Sequence, residues 1–166
     1  MSSRHPGHIA EYLRGQARAA ATALILAGGA PVIAPGTAGA ALTDAIDIIA
    51  VFDGGGAVLA VGRQVDIVVD LACTIEAWAM VADLSTTSRV DVWRDAFAAY
   101  PPVAGDSMPG AAADRPQITA GLAARSDIVT AWDRVIIDAG DVLRFNLDTN
   151  NNATRITVAL KARRAT

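Results

Sequence analysis

Beyond Ile46 the chain alternates apolar and polar residues with the two-residue period of strands that bury one face. Val65, Ile67, Val69 and Leu71 oppose Gln64, Asp66, Val68 and Asp70. Ile75, Ala77, Ala79 and Val81 oppose Thr74, Glu76, Trp78 and Met80. Val90 and Val92 oppose Arg89, Asp91 and Trp93. Near the C-terminus Leu143, Phe145 and Leu147 oppose Arg144, Asn146 and Asp148, and Ile156, Val158 and Leu160 oppose Arg155, Thr157 and Ala159. These last two runs flank the polar turn Thr149–Asn152 and predict an antiparallel hairpin. Shorter extended runs are predicted over 46–52, 57–61, 117–122, 127–133 and 134–138. Turn-forming residues punctuate them at Asp53–Gly56, Gly62-Arg63, Ala123–Ser126 and Ala139–Asp141, and Ser85–Ser88 suits a hairpin connection. About eight to ten short strands with turns between them favour an all-β antiparallel β-sandwich or jelly roll.

Two stretches break the period. Residues 94–116 carry Pro101, Pro102, Pro109 and Pro116, which a central strand does not tolerate. They form a long excursion with room for one helical turn over Asp95–Tyr100, and loops of that length are commonly functional or an interface. The first 45 residues differ from the rest. A helix is predicted from Ile9 to Leu26, closed by Gly28 and Gly29. Gly36, Gly39, Pro31 and Pro35 then mark a linker or extended arm without charge before Asp44. The apolar run Ala19–Ala27 after Arg14 and Arg18 also has the outline of an export signal, but is short and broken for a membrane span. The preferred reading divides the chain into 1–45, a helical or extended attachment arm carrying Arg14, Arg18, Leu24 and Ile25, and 46–166, the β domain.

Charge narrows the partners. The formal net charge is -3 and is unevenly spread: 1–18 carries +2, 19–160 carries -8, and Lys161, Arg163 and Arg164 add +3. An acidic body argues against nucleic acid, which needs clustered Lys and Arg. Apolar residues make up 52% and charged residues 19%. That balance fits a protein that covers surface against neighbours, and fits equally an Ala-rich genome.

Candidate chemistry is sparse. His5 and His8 both precede the β domain, so its strands bring no imidazole base and no His-centred triad. No catalytic residue, cofactor or metal is expected. Cys73 is the single cysteine and reads as a buried thiol. Asp66 with Asp70, and Asp91 with Asp95, are carboxylate pairs of the kind glycoside chemistry uses, though solvated strand faces explain them as well. The turns at Asp53 and at Asp148–Asn152 hold calcium-type ligands without an EF-hand's spacing. Trp78, Trp93 and Trp132 lie in or beside strands, where aromatics plug a core or stack on a sugar. Trp78, Trp93, Asp91 and Tyr100 are the candidate glycan or interface residues.

The ordered blocks FDGGGAVL (Phe52–Leu59), LACTI (Leu71–Ile75), VDVWRDAFAAYPP (Val90–Pro102) and GDVLRFNLD (Gly140–Asp148) with its closing strand resemble a domain of tailed-phage structural proteins. The resemblance spans 49–161 and leaves out the first 45 residues. It implies a virion spike or tail-fibre component without enzymatic activity, belonging to a prophage or a phage-like gene transfer particle. On that view Asp91, Trp93, Pro101, Pro102, Asp106 and Gly140 determine the fold. The implied partners are a second copy of the chain in a homo-oligomer, a capsid or tail protein, a fibre protein and host-surface polysaccharide, with no nucleic acid and no membrane. The implied location is a particle assembled in the bacterial cytoplasm. The alternative is a carbohydrate-binding module. A glycan hydrolase built on Asp66 and Asp91 ranks last.

Overall fold

A computed structural model describes residues 45–165. Arg14, Arg18, Leu24 and Ile25, with the helix and arm predicted for 1–45, lie outside the described residues. Seven strands form one antiparallel sheet that curls into a nearly closed barrel. They are β1 (Ala45–Asp53), β2 (Gln64–Val69), β3 (Cys73–Ala96), β4 (Gln117–Ser126), β5 (Ile136–Ile137), β6 (Asp141–Thr149) and β7 (Arg155–Arg164). Hydrogen-bonded neighbours run in the order β1-β7-β3-β6-β2. β1 and β2 approach each other at the ends of that path without pairing, and this seam keeps the barrel open.

The fold turns on β3, a single strand of 24 residues. Its first half, Cys73–Ala82, pairs with β7, and its second half, Arg89–Ala96, pairs with β6. β4 runs along the opposite edge, opposite β7 at Trp78–Val81 and opposite β6 at Arg89. β6 and β7 therefore follow one another along the same edge of β3. The hairpin predicted for these two strands is corrected: each pairs with β3, and neither pairs with the other.

The connection predicted at Ser85–Ser88 is corrected too, because β3 runs straight through it. The polar residues serve an irregular stretch of β3, where its register with β4 shifts. Thr86 and Ser88 are buried, and their hydroxyls meet each other at 2.7 Å. The Thr86 hydroxyl lies 2.8 Å from Asn151 Oδ1, and the Ser88 hydroxyl donates to Asn150 Oδ1 at 2.8 Å. The amide of Asn150 donates in turn to the carbonyls of Leu59 and Ala153, each at 3.0 Å. Buried polar groups need partners, and the β6–β7 turn supplies them. Asp83 fastens the same corner by accepting from the backbone N–H groups of Thr154 and Arg155 and from the Thr154 hydroxyl.

A bulge at Glu76 changes which residues of β3 face inward. Ile75 opposes Ala162 and Ala77 opposes Lys161, so β3 carries one extra residue there. After it Trp78 and Met80 are buried while Val81 is half exposed, at 50%. The alternation predicted for 74–81 thus holds through Ala77, which is also buried, and inverts from Trp78 onward. Beneath lie Phe52, Met80, Phe145, Leu147, Ile156 and Leu160, all fully buried. Met108 from the excursion and Ile118 from β4 complete the core. Two further predictions shift. Residues 57–61 form no strand, although Leu59 is buried and its N–H donates to the Ala153 carbonyl at 3.0 Å. Residues 127–133 form turns with no strand, while 123–126, predicted as a connection, belongs to β4.

Candidate functional site

The outer face of β2, β6 and the second half of β3 is polar because strand alternation sends Leu143, Phe145 and Leu147 inward. Register aligns the remaining side chains in rows. Asp66 opposes Arg144, which opposes Trp93; Gln64 opposes Asn146, which opposes Asp91. The excursion predicted as an irregular loop lies over this face, with short 3-10 turns at Phe97–Ala99, Ala104–Asp106 and Ala112–Asp114. Ser107 bridges to Trp93, and the Met108 N–H donates to the Val92 carbonyl at 2.8 Å.

Two charged clusters pin it. In the first, Asp91 is buried and accepts from four donors. Its Oδ1 takes the Val92 N–H at 2.9 Å and the Ser107 hydroxyl at 2.7 Å. Its Oδ2 takes the Trp93 indole N–H at 2.7 Å and sits 3.0 Å from the Arg115 guanidinium. Arg115 also donates to Asp148 at 2.6 Å, and Asn146 donates to the other oxygen of Asp148 at 2.9 Å. A buried carboxylate is tolerable only when so surrounded.

In the second cluster Arg144 grips Asp66 with two parallel bonds of 2.7 Å. The Tyr100 hydroxyl donates to the same carboxylate at 2.8 Å, and the guanidinium lies 5.3 Å from the Tyr100 ring centroid. The bond from Arg144 holds the Asp66 carboxyl below its ordinary value, with the Tyr100 hydroxyl adding to it against the opposing effect of burial. Tyr100 remains 52% exposed, so its ring is fixed in place yet open to solvent.

Asp91, Trp93 and Tyr100 thus belong to one roofed face, as three of the four candidate residues. Trp78 does not. It points into the core and, with Trp132, walls a separate cleft of about 250 Å³. The indole of Trp132 donates to the Asp114 carbonyl at 2.9 Å. Trp78 is 9% exposed and offers no open ring for stacking. Asp66 and Asp91, read as solvated, are ion-paired instead. Asp70 lies past the end of β2, apart from Asp66's partners.

Arg144, Arg115 and Ser107 were not foreseen. The polar alternation placed Arg144 on the outer face, but strand register, which no single run encodes, gives it Asp66 as partner. The candidate calcium turns have ordinary roles: Asp53 accepts the Gly55 N–H at 2.8 Å, and Asn150 and Asn151 accept from the buried Thr86 and Ser88 hydroxyls of β3. Among the described residues no three acidic, His or Cys side chains gather as a metal site, and no helix is long and apolar enough to cross a membrane. Burial raises the pKa of the Cys73 thiol, which disfavours its reactive thiolate. No protein-family model, curated protein or solved structure matches this chain.

Proposed function

We propose that the chain is a non-enzymatic structural component of a phage-like particle, a spike or fibre base. In this reading residues 1–45 are an arm that docks on a capsid or tail protein. The β body, of sandwich or jelly-roll type, carries a fibre protein or faces host-surface polysaccharide. The observation that supports it is how the polar groups of the body are used. The carboxylates of Asp66, Asp91 and Asp148 hold the 97–116 excursion rigidly on the outer face, as suits a part that presents a fixed surface. The block resemblance over 49–161 points the same way.

Deleting 1–45 tests the arm. The remaining domain is expected to keep its β circular-dichroism spectrum while vanishing from purified particles. Continued incorporation, or absence of the full-length chain from particles, contradicts the proposal.

Tyr100 favours the second reading, a carbohydrate-binding module. Its immobilised, exposed ring stands beside Asp66 and Arg144, the pairing of apolar face and planar polar groups that sugars recognise. On a glycan array that reading predicts binding that Tyr100→Ala abolishes. A blank array for the intact chain removes it.

A further inference from the structure

Among the described residues the barrel path ends at a seam where β1 and β2 face each other without pairing. Each strand has, among the described residues, a hydrogen-bonded neighbour on one side only, β7 for β1 and β6 for β2. Between them lies a cleft of about 270 Å³ with aliphatic walls, among them Ile48, Ile49, Ile67, Val68 and Leu71. Ile49, Val68 and Leu71 are 54%, 48% and 42% exposed, so the apolar lining reaches the surface. Natural sheets usually blunt such edges with charge, proline or a cover. Here the lining holds only Asp47 and Asp70 as charges.

Basic residues stand around it. Cys73 is paired with Arg164 on one side and Ile137 on the other. The Val69 carbonyl takes the Gly140 N–H, and Asp47 opposes Lys161 across β1 and β7. The start of β1, the end of β2, the end of β7 and the β5 segment therefore meet at one end of the barrel. The β5 segment adds Ile136, 59% exposed, and Arg134 beside it. Among the described residues the side chains of Asp47, Asp70, Arg134 and Arg164 have no hydrogen-bond or ion-pair partner. This end is thus an apolar cleft flanked by free acids and free bases. A surface with both signs around an apolar centre is complementary to itself: a two-fold rotation lays the acids of one copy against the bases of the other.

We infer that the β1–β2 seam is the docking surface for a second copy of this chain. The contact places aliphatic side chains over the two open strand edges, with Asp47 and Asp70 facing Arg134 and Arg164 of the other copy. It stands independently of the particle reading, since any role is compatible with this pairing.

Sedimentation of the full chain tests it. The intact protein is expected to self-associate, and Val68→Glu to weaken that association at least tenfold while the circular-dichroism spectrum stays unchanged. Two charge variants separate pairing from general stickiness. Asp47→Lys with Asp70→Lys makes the patch basic, and Arg134→Glu with Arg164→Glu makes it acidic. Each alone is expected to dissociate, and an equal mixture to recover association. A monomeric intact chain, association indifferent to Val68→Glu, or a mixture no stronger than its components overturns the inference.

Discussion

Asp91 shows how much one side chain organises. Its oxygens collect a backbone N–H, a hydroxyl, an indole and a guanidinium, joining β3 to the 107–115 part of the excursion. Removing the carboxylate leaves Arg115 without that partner, with the Trp93 indole and the Ser107 hydroxyl unmatched. Asp91→Ala is expected to destabilise the fold by about 3–5 kcal/mol, the cost of breaking a buried ion pair from one side, measured by urea unfolding; a change within experimental error refutes this role. Gly54 is a second sensitive position. A Cβ there meets the Ala57 carbonyl oxygen at 2.1 Å and the Thr154 oxygen at 3.0 Å, so the turn cannot admit alanine without moving backbone. Acid dependence also belongs at this scale. The Thr154 hydroxyl and the N–H groups of Arg155 and Thr154 pull the Asp83 pKa from 3.8 to about 2, and Arg144 lowers that of Asp66. Both groups bind protons more weakly folded than unfolded. Their stabilisation is therefore present above the ordinary value of 3.8 and fades as pH falls below it, for Asp83 toward about 2. The thermal midpoint is expected to drop across that window, and Asp83→Asn to shrink the drop; an identical pH profile for the variant contradicts the assignment.

At the scale of elements, β3 separates what its sequence reveals from what it hides. The inner face of its second half is plain, since Val90 and Val92 are the apolar members of a polar stretch and are fully buried. The first half is ambiguous because Ala77, Ala79 and Val81 are as apolar as Trp78 and Met80. Periodicity there cannot reveal a bulge, and only the pairing with β7 shows it. Likewise Ser85–Ser88 has the composition of a turn, and its place inside a continuous strand depends on Asn150 and Asn151 arriving from more than sixty residues away. Asn150→Ala removes the acceptor of Ser88 and the donor to Leu59 and Ala153. It is expected to cost about 1–3 kcal/mol, as for buried groups left unsatisfied, read from chemical unfolding. Deleting Glu76 takes out the extra residue while keeping Trp78 and Met80 inward, and the fold is expected to survive. Deleting Ala79 from the regular stretch turns Met80 outward and is expected to unfold the domain. Equal tolerance of both deletions contradicts the bulge.

For the whole molecule, the class of fold was legible and its closure was not. Alternating runs in β1, β2, β6 and β7 follow from local patterning, and their inward residues form nearly half of the core. Which strands pair is a long-range matter. β6 and β7 are adjacent in sequence with a turn between them, the ordinary signature of a hairpin, yet β3 receives both because it is long enough to serve each with one half. The outer-face cluster was half visible for the same reason: Trp93, Asp91 and Tyr100 share one short stretch, whereas Asp66, Arg144 and Asp148 join them only through register. The most direct test is a map of cross-strand nuclear Overhauser contacts in the β domain. A continuous β3 shared by two strands predicts Met80 close to Val158, Val92 close to Phe145, and no ladder between 141–149 and 155–164. A ladder joining those two segments, or a chain reversal at 85–88 that pairs the two halves of β3 with each other, contradicts the architecture on which the site and the seam both depend.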